Sequence, residues 1–151
     1  MIKIVNVLYI NYLNTNDRIY DLNACNKIIE NFNNMTDVFG CYKNDNTIVD
    51  SSKITHKVNK LFIKNNILKA EIEILPTTYG NILKEFFDNS CFITKSTGII
   101  NPDKTVEVVD FFGIDCAHIE DSPYIKIINR ERKLKRILSF NHFENSIESN
   151  L

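Results

Sequence analysis

Residues 53–97, KITHKVNKLFIKNNILKAEIEILPTTYGNILKEFFDNSCFITKST, decide the fold of this chain. Apolar and polar residues alternate over residues 54–63 and again over residues 68–74, on either side of the pair Asn65-Asn66. Alternation with a period of two is typical of β-strands, and an Asn-Asn pair favours a tight turn. The stretch therefore predicts a β-hairpin.

A short helix and a further strand follow this hairpin. The residues at 76–78, PTT, end the second strand, and the apolar spacing over residues 81–88 predicts a helix. The apolar run at residues 91–94 predicts another strand, which ends just before Ser96. A loop is expected over residues 98–104. The arrangement presents a serine after a strand, and this makes Ser96 the first candidate for chemistry.

The flanking segments predict a single β-rich α+β domain. Strands are expected at residues 2–10, 105–119 with a bend at Gly113, and 124–128, and residues 38–42 are expected to form a short strand or a turn. Helices are expected at residues 22–32, capped by Asp21, and at residues 130–147. Together these elements predict a mainly antiparallel, barrel-like sheet, closed or half-closed, with a few flanking helices. Residues 1–129 form the β-rich domain in this prediction, and residues 130–151 form an amphipathic C-terminal helix packed on it or on a partner.

Length and composition limit the classes of protein to which the chain can belong. A chain of 151 residues is one domain by the usual expectation, and 44% hydrophobic residues exclude a disordered chain. The formal net charge of −1 argues against a dedicated nucleic-acid-binding protein. No long apolar run is present, so no membrane partner is expected, and the N-terminus lacks the pattern of a signal peptide.

The four cysteines do not predict a metal site. Cys25, Cys41, Cys91 and Cys116 are far apart and form no C-x-x-C pair, so we expect reduced thiols in the core, no metal and no cofactor. Cys41 and Cys91 have apolar neighbours, which raise a thiol pKa and make these residues poor nucleophiles.

Three stretches carry a resemblance to a known family. Residues 14–20, NTNDRIY, resemble an N-x-N-x-R-x-Y opening, and residues 53–88 resemble S-H-x-I/V, a hairpin, and E-I-L-x-T-x-x-G-x-I-L-K. Residues 111–123, FFGIDCAHIEDSP, are similar to a strand followed by D-x-V-x-x-P-S. Their order and spacing resemble the prohead (capsid maturation) proteases of tailed phages, especially the T-even type, which are related to the herpesvirus assemblins.

The resemblance implies a serine nucleophile in a G-x-S-S-R-G segment. Ser96 falls on the first serine of that segment, and Thr97 falls on the second. The glycine before the serines is replaced by Thr94, and the arginine after them is replaced by Gly98.

The resemblance also implies a histidine base in a G-E-L-x-H-P segment. The matching segment begins at Gly40, and Asn44 stands at the position of the histidine. A serine hydroxyl needs a base within hydrogen-bond reach, and an amide does not take up a proton at neutral pH. We therefore expect no catalytic residues.

If the chain is active, the expected site is Ser96 with His56 or His118 as the base. His118 follows the nucleophile, as the second histidine of the assemblins does, and acidic residues stand beside it. The third histidine, His142, is expected on the surface of the C-terminal helix.

These observations predict a phage virion structural protein with a prohead-protease-like fold, non-catalytic, acting as an auxiliary subunit of the capsid or the portal vertex. The alternative is an active prohead maturation serine protease that cleaves scaffold and capsid proteins. A third hypothesis is a host-directed interaction module unrelated to the virion.

The expected partners are the major capsid protein and the portal or other virion proteins, with self-association as a further alternative. The expected location is the virion capsid, after assembly in the host cytoplasm. The basic run at residues 130–136, RERKLKR, is either a solvated helix face or a docking surface for an acidic partner such as a capsid subunit or packaged DNA.

Overall fold

Two antiparallel sheets and three helices form the fold. The computed structural model describes residues 1–43 and 49–149, with side chains described up to residue 141. One sheet has four strands in the order β1-β4-β3-β2: β1 (Ile2–Tyr9), β2 (Val38–Cys41), β3 (Ile54–Lys64) and β4 (Ile67–Ile74). The other sheet has two strands, β5 (Ser90–Ile100) and β6 (Val106–His118). The helices are α1 (Leu22–Asn33), α2 (Thr78–Glu85) and α3 (Ile125–Ser149).

The predicted hairpin is confirmed as β3 and β4. Asn65 and Asn66 form its turn with φ angles of 54° and 59°, the left-handed backbone that a two-residue turn needs to match the twist of its strands. Asn tolerates this conformation better than most residues with a side chain. Along β4 the alternation continues as expected, and Leu68, Ala70 and Ile72 are fully buried in the core.

The α+β class is confirmed, but the described strands do not close into one barrel. On one side β2 approaches β6 through a single parallel bridge between Tyr42 and Cys116, where Lys43 N donates to Cys116 O over 2.8 Å. On the other side β1 lies beside β5 without pairing. The Tyr124 ring packs 5.0 Å from the Tyr9 ring and lines cavities that both strands share, so a side chain stands where a strand ladder would close the barrel.

The first two helices are positioned by side-chain caps. Asp21 Oδ1 accepts from Ala24 N over 2.8 Å, which confirms the predicted cap of α1. Thr77 Oγ1 accepts from Gly80 N over 2.8 Å, so α2 begins earlier than the predicted residue 81. The early start follows from this cap, because a threonine at this position satisfies a free amide of the first turn.

The predicted strand at residues 124–128 is wrong. Ser122 Oγ accepts from Tyr124 N over 3.1 Å, and the chain enters α3 at Ile125. Ile128 packs against the core, whereas every described side chain from 133 to 141 is exposed.

None of the helices in the described ranges is long and apolar enough to cross a membrane. The division into residues 1–129 and 130–151 stays a prediction.

Candidate functional site

Ser96 lies within a strand and not in the segment after it. β5 continues to Ile100 because its apolar end pairs with Val106 and the start of β6. Ser96 stands opposite Phe111, and the register shifts beside it, between Lys95 and Ser96. The predicted bend at Gly113 lies at this irregularity, where φ is 154°, a backbone conformation that favours glycine.

A cavity of about 430 Å³ opens beside Ser96. Its walls come from strands β1, β5 and β6, from the loop between β1 and α1, and from the segment before α3. The loop contributes the alternate residues Asn14, Asn16, Arg18 and Tyr20. These are the residues that carry the N-x-N-x-R-x-Y resemblance, and nothing in their local pattern indicated that they would lie beside Ser96.

The Asn14 side chain holds this loop in place. Asn14 Oδ1 accepts from Asn16 N over 3.0 Å and from Arg18 N over 3.1 Å, and the side chain itself is buried. Asp17, between them, adopts a left-handed backbone with φ of 63°. A short polar side chain that bonds to its own backbone favours such a turn, and this turn directs Arg18 to the cavity wall.

The described residues that line this cavity include no histidine and no carboxylate. Burial raises the pKa of Tyr20, while Arg18 and hydrogen bonds with Ser96 and Thr94 lower it only in part. Burial also raises the pKa of Tyr124. Both phenols therefore stay protonated at neutral pH and cannot accept the Ser96 proton. The arrangement supplies a guanidinium and hydroxyl groups for binding a polar group.

His56 is a core residue that does not line this cavity. Its Nε2 lies 2.8 Å from Ile114 O, and its Nδ1 lies 2.7 Å from Thr55 Oγ1. A carbonyl only accepts, so Nε2 carries the proton, and Nδ1 of the neutral ring accepts from the Thr55 hydroxyl. Burial lowers the pKa of His56 to about 4. Both ring nitrogens are thus engaged, and the Nε2 bond to Ile114 O joins β3 to β6.

His118 lies at the far end of the β5–β6 ladder. It is exposed and pairs with Ser90, six residues before Ser96 on β5. At about 3.3 Å per residue this places the two about 20 Å apart along the strand. Its Nδ1 accepts from Glu120 N over 3.3 Å. The structure therefore does not bring Ser96 together with either candidate histidine.

Two predictions fall on parts of the chain that the structure leaves undescribed. Asn44, at the position where the resemblance expects the base, lies among residues 44–48, outside the described residues. The His142 side chain, expected on the helix surface, also lies outside them.

A buried ion pair near the centre of the molecule was missed by the sequence analysis. Lys95 Nζ lies 2.8 Å from Asp115 Oδ2, and both side chains are largely shielded from solvent. Asp115 Oδ1 also accepts from Cys41 N over 3.3 Å. The strand ladder places Lys95 opposite Gly113 and Asp115 opposite Ile93, so the two charges are diagonal neighbours across β5 and β6. The sequence does not show this pair unless the strand register is known.

The cysteines are placed as the sequence predicted. All four are buried free thiols. Burial raises the pKa of Cys91 to about 11 and raises that of Cys41, so neither thiol ionises readily at neutral pH. Within the described part of the chain, no group of three or more His, Cys, Asp and Glu side chains is arranged to hold a metal ion.

No protein-family model matches the sequence, and no curated protein matches it either. Among solved structures, the chain is similar to the capsid assembly protease of bacteriophage T4, with a TM-score of 0.60 and 13% sequence identity. The similarity covers 77% of this chain and 80% of that protease. The chain therefore has a prohead-protease-like fold, as its resemblance implied, and at this identity the likeness concerns the fold alone.

Proposed function

We propose that this protein is a non-catalytic relative of the phage prohead proteases and acts as an auxiliary subunit of the capsid or the portal vertex. The observation that carries the proposal is the Ser96 cavity, whose described lining holds no residue able to accept a proton at neutral pH. A serine without a base is a weak nucleophile. Retention of the fold without a base supports a binding role.

The same cavity supports binding of an extended segment of a virion protein. Arg18 supplies a cation, and Ser96 and Thr97 supply hydroxyl groups along one wall. Arg18 pairs well with carboxylates because its guanidinium presents several donors in a plane. Backbone and polar side chains of a partner would hydrogen-bond to these groups.

The test compares the wild-type protein with Ser96→Ala on the capsid, portal and scaffold proteins of the phage that encodes it. We expect no cleavage by either protein, measured by intact-mass spectrometry. We also expect both proteins to be present in purified particles at the same fixed stoichiometry. Ser90→Ala is the matched control, because Ser90 lies on the same strand and bonds Phe86 O.

The alternative function is that of an active maturation serine protease. Cleavage by the wild-type protein and by Ser90→Ala, but not by Ser96→Ala, would establish it and overturn the proposal. Absence of the protein from purified particles would instead favour a host-directed interaction module.

A further inference from the structure

The outer part of α3 presents an exposed face that is both apolar and basic. Lys133, Arg136, Ile137 and Phe140 are spaced at i, i+3, i+4 and i+7, so they share one face of the helix. Ile137 is 47% exposed and Phe140 is 60% exposed. Within the described residues, neither of the two cations takes part in an ion pair. This group of four residues is the helix surface.

The end of the β5–β6 hairpin presents a face that is both apolar and acidic. Ile99 is 57% exposed and stands opposite Glu107, and Val109 is 52% exposed and stands beside Asp110. Both carboxylates are exposed, and neither belongs to an ion pair in the described ranges of the chain. These four residues are the hairpin surface.

We propose that the helix surface of one copy of this chain docks on the hairpin surface of a second copy. The two surfaces have unpaired charges of opposite sign, two on each, beside two large apolar side chains. Apolar burial drives such a contact, and charge complementarity sets its partner and register. The two surfaces cannot cover each other within one copy, because both are exposed in the folded chain.

A contact of this kind is head-to-tail, since it joins two different surfaces. Each copy keeps one surface of each kind free for a further neighbour, so the copies form a ring or an open row. The contact is small beside the roughly 1,600 Å² of a standard interface. Association in solution is therefore weak and depends on protein concentration. The proposed contact between copies uses surfaces other than the Ser96 cavity, so it does not rest on the proposed function.

The experiment uses sedimentation of the full chain over a range of concentrations. We expect the weight-average mass of the wild-type protein to rise with concentration, and to rise less at high salt because salt screens the charges. Lys133→Glu with Arg136→Glu reverses the helix surface, and Glu107→Lys with Asp110→Lys reverses the hairpin surface. Each double variant alone is expected to remain a monomer.

An equal mixture of the two double variants is expected to associate again, because each reversed surface then meets its opposite. The control for the helix reversal is Lys64→Glu with Lys84→Glu. It makes the same change in net charge as that reversal at two other exposed lysines, and it should associate like the wild type. Circular dichroism verifies that each variant is folded. A wild-type protein that stays monomeric at all concentrations overturns the proposal. Association that survives either reversal, or a mixture that stays monomeric, overturns it equally.

Discussion

The imidazole of His56 lies between the Thr55 hydroxyl and the Ile114 carbonyl, with the Phe92 ring against it edge-on at 5.4 Å. Gly40 packs so closely on the ring that a Cβ atom there would overlap it. A histidine in this setting does not take up a proton near neutral pH, as a catalytic base must, because burial disfavours its charged form. What it contributes instead is a link between the two sheets.

This environment predicts how stability depends on pH. The pKa of His56 is lowered to about 4 in the folded protein, whereas an unfolded chain has the usual value of 6.5. Between these values the unfolded state binds a proton that the folded state does not. The stabilisation is therefore complete above pH 6.5, is lost as the pH falls toward 4, and changes no further below it. The loss is about 3 kcal/mol for a shift of this size.

The measurement is the free energy of unfolding in urea for the wild type and for His56→Gln between pH 7.5 and pH 4. We expect the wild type to lose about 3 kcal/mol more than the variant over this range. His118→Gln is the control, since that histidine is exposed, and it should follow the wild type. Equal pH dependence of the wild type and His56→Gln would contradict the lowered pKa of His56 in the folded protein.

Among the elements, the β3–β4 hairpin depends on the left-handed backbone of its two turn residues. Both are asparagines with positive φ, and Asn66 O also accepts from Ile10 N over 3.0 Å. The turn therefore sets the register of the hairpin and helps to position the end of β1. A residue with a branched side chain disfavours this backbone, whereas glycine adopts it freely.

We predict opposite effects for two substitutions at this turn. Asn66→Gly should leave the free energy of unfolding unchanged or raise it by up to about 1 kcal/mol, and Asn66→Val should lower it by about 1–2 kcal/mol. Lys64→Val is the matched control, because Lys64 is exposed at the end of β3. It should change stability by less than about 0.5 kcal/mol. Thermal unfolding measures the stability of all three variants. An Asn66→Val variant more stable than the wild type would contradict the requirement for a left-handed backbone at this turn.

At the scale of the whole molecule, α3 belongs to the domain only at its beginning. Ile128 packs on the core, and Arg132 Nη2 donates to Asp88 O over 2.6 Å. The described side chains beyond Arg132 are all exposed, and none of them belongs to the core. The folded body of the protein should therefore not depend on residues 133–151.

Truncation after Arg132 tests this directly. We expect the free energy of unfolding to change by less than about 1 kcal/mol, because the described side chains that are removed, residues 133–141, are all exposed. Ile128→Asp in the full chain is the contrasting variant and should destabilise the protein by more than about 2 kcal/mol, since it places a charge against the core. Urea unfolding measures both. A truncated chain that does not fold would show that the outer helix is part of the domain.

Much of the fold follows from local patterns in the sequence. The hairpin, its Asn-Asn turn, α1 with its cap at Asp21 and the bend at Gly113 all appear where periodicity and turn chemistry predict them. β5 is longer than predicted because its end pairs with the start of β6, and two other elements differ because a side-chain hydrogen bond overrides the pattern. Thr77 starts α2 early, and Ser122 directs the residues after it into α3 instead of a strand.

The candidate site was predicted only in part. Ser96 was singled out from the sequence, with His56 and His118 as its candidate bases. The partners of Ser96 were not found, because Arg18 and Tyr20 stood in what the sequence showed only as a polar loop. His56 was an open candidate until its burial and both of its hydrogen bonds were known.

The sequence by itself determined the β3–β4 hairpin, helix α1 and the buried face of β4, because periodicity and turn propensity act between residues that are close along the chain. Only the tertiary structure decided which elements meet: the Ser96 cavity from segments distant in the chain, the Lys95–Asp115 pair across β5 and β6, and the lack of pairing between the neighbouring strands β1 and β5 as described. The physical reason is that packing between sheets depends on shape and register over the whole molecule, and no local pattern encodes these.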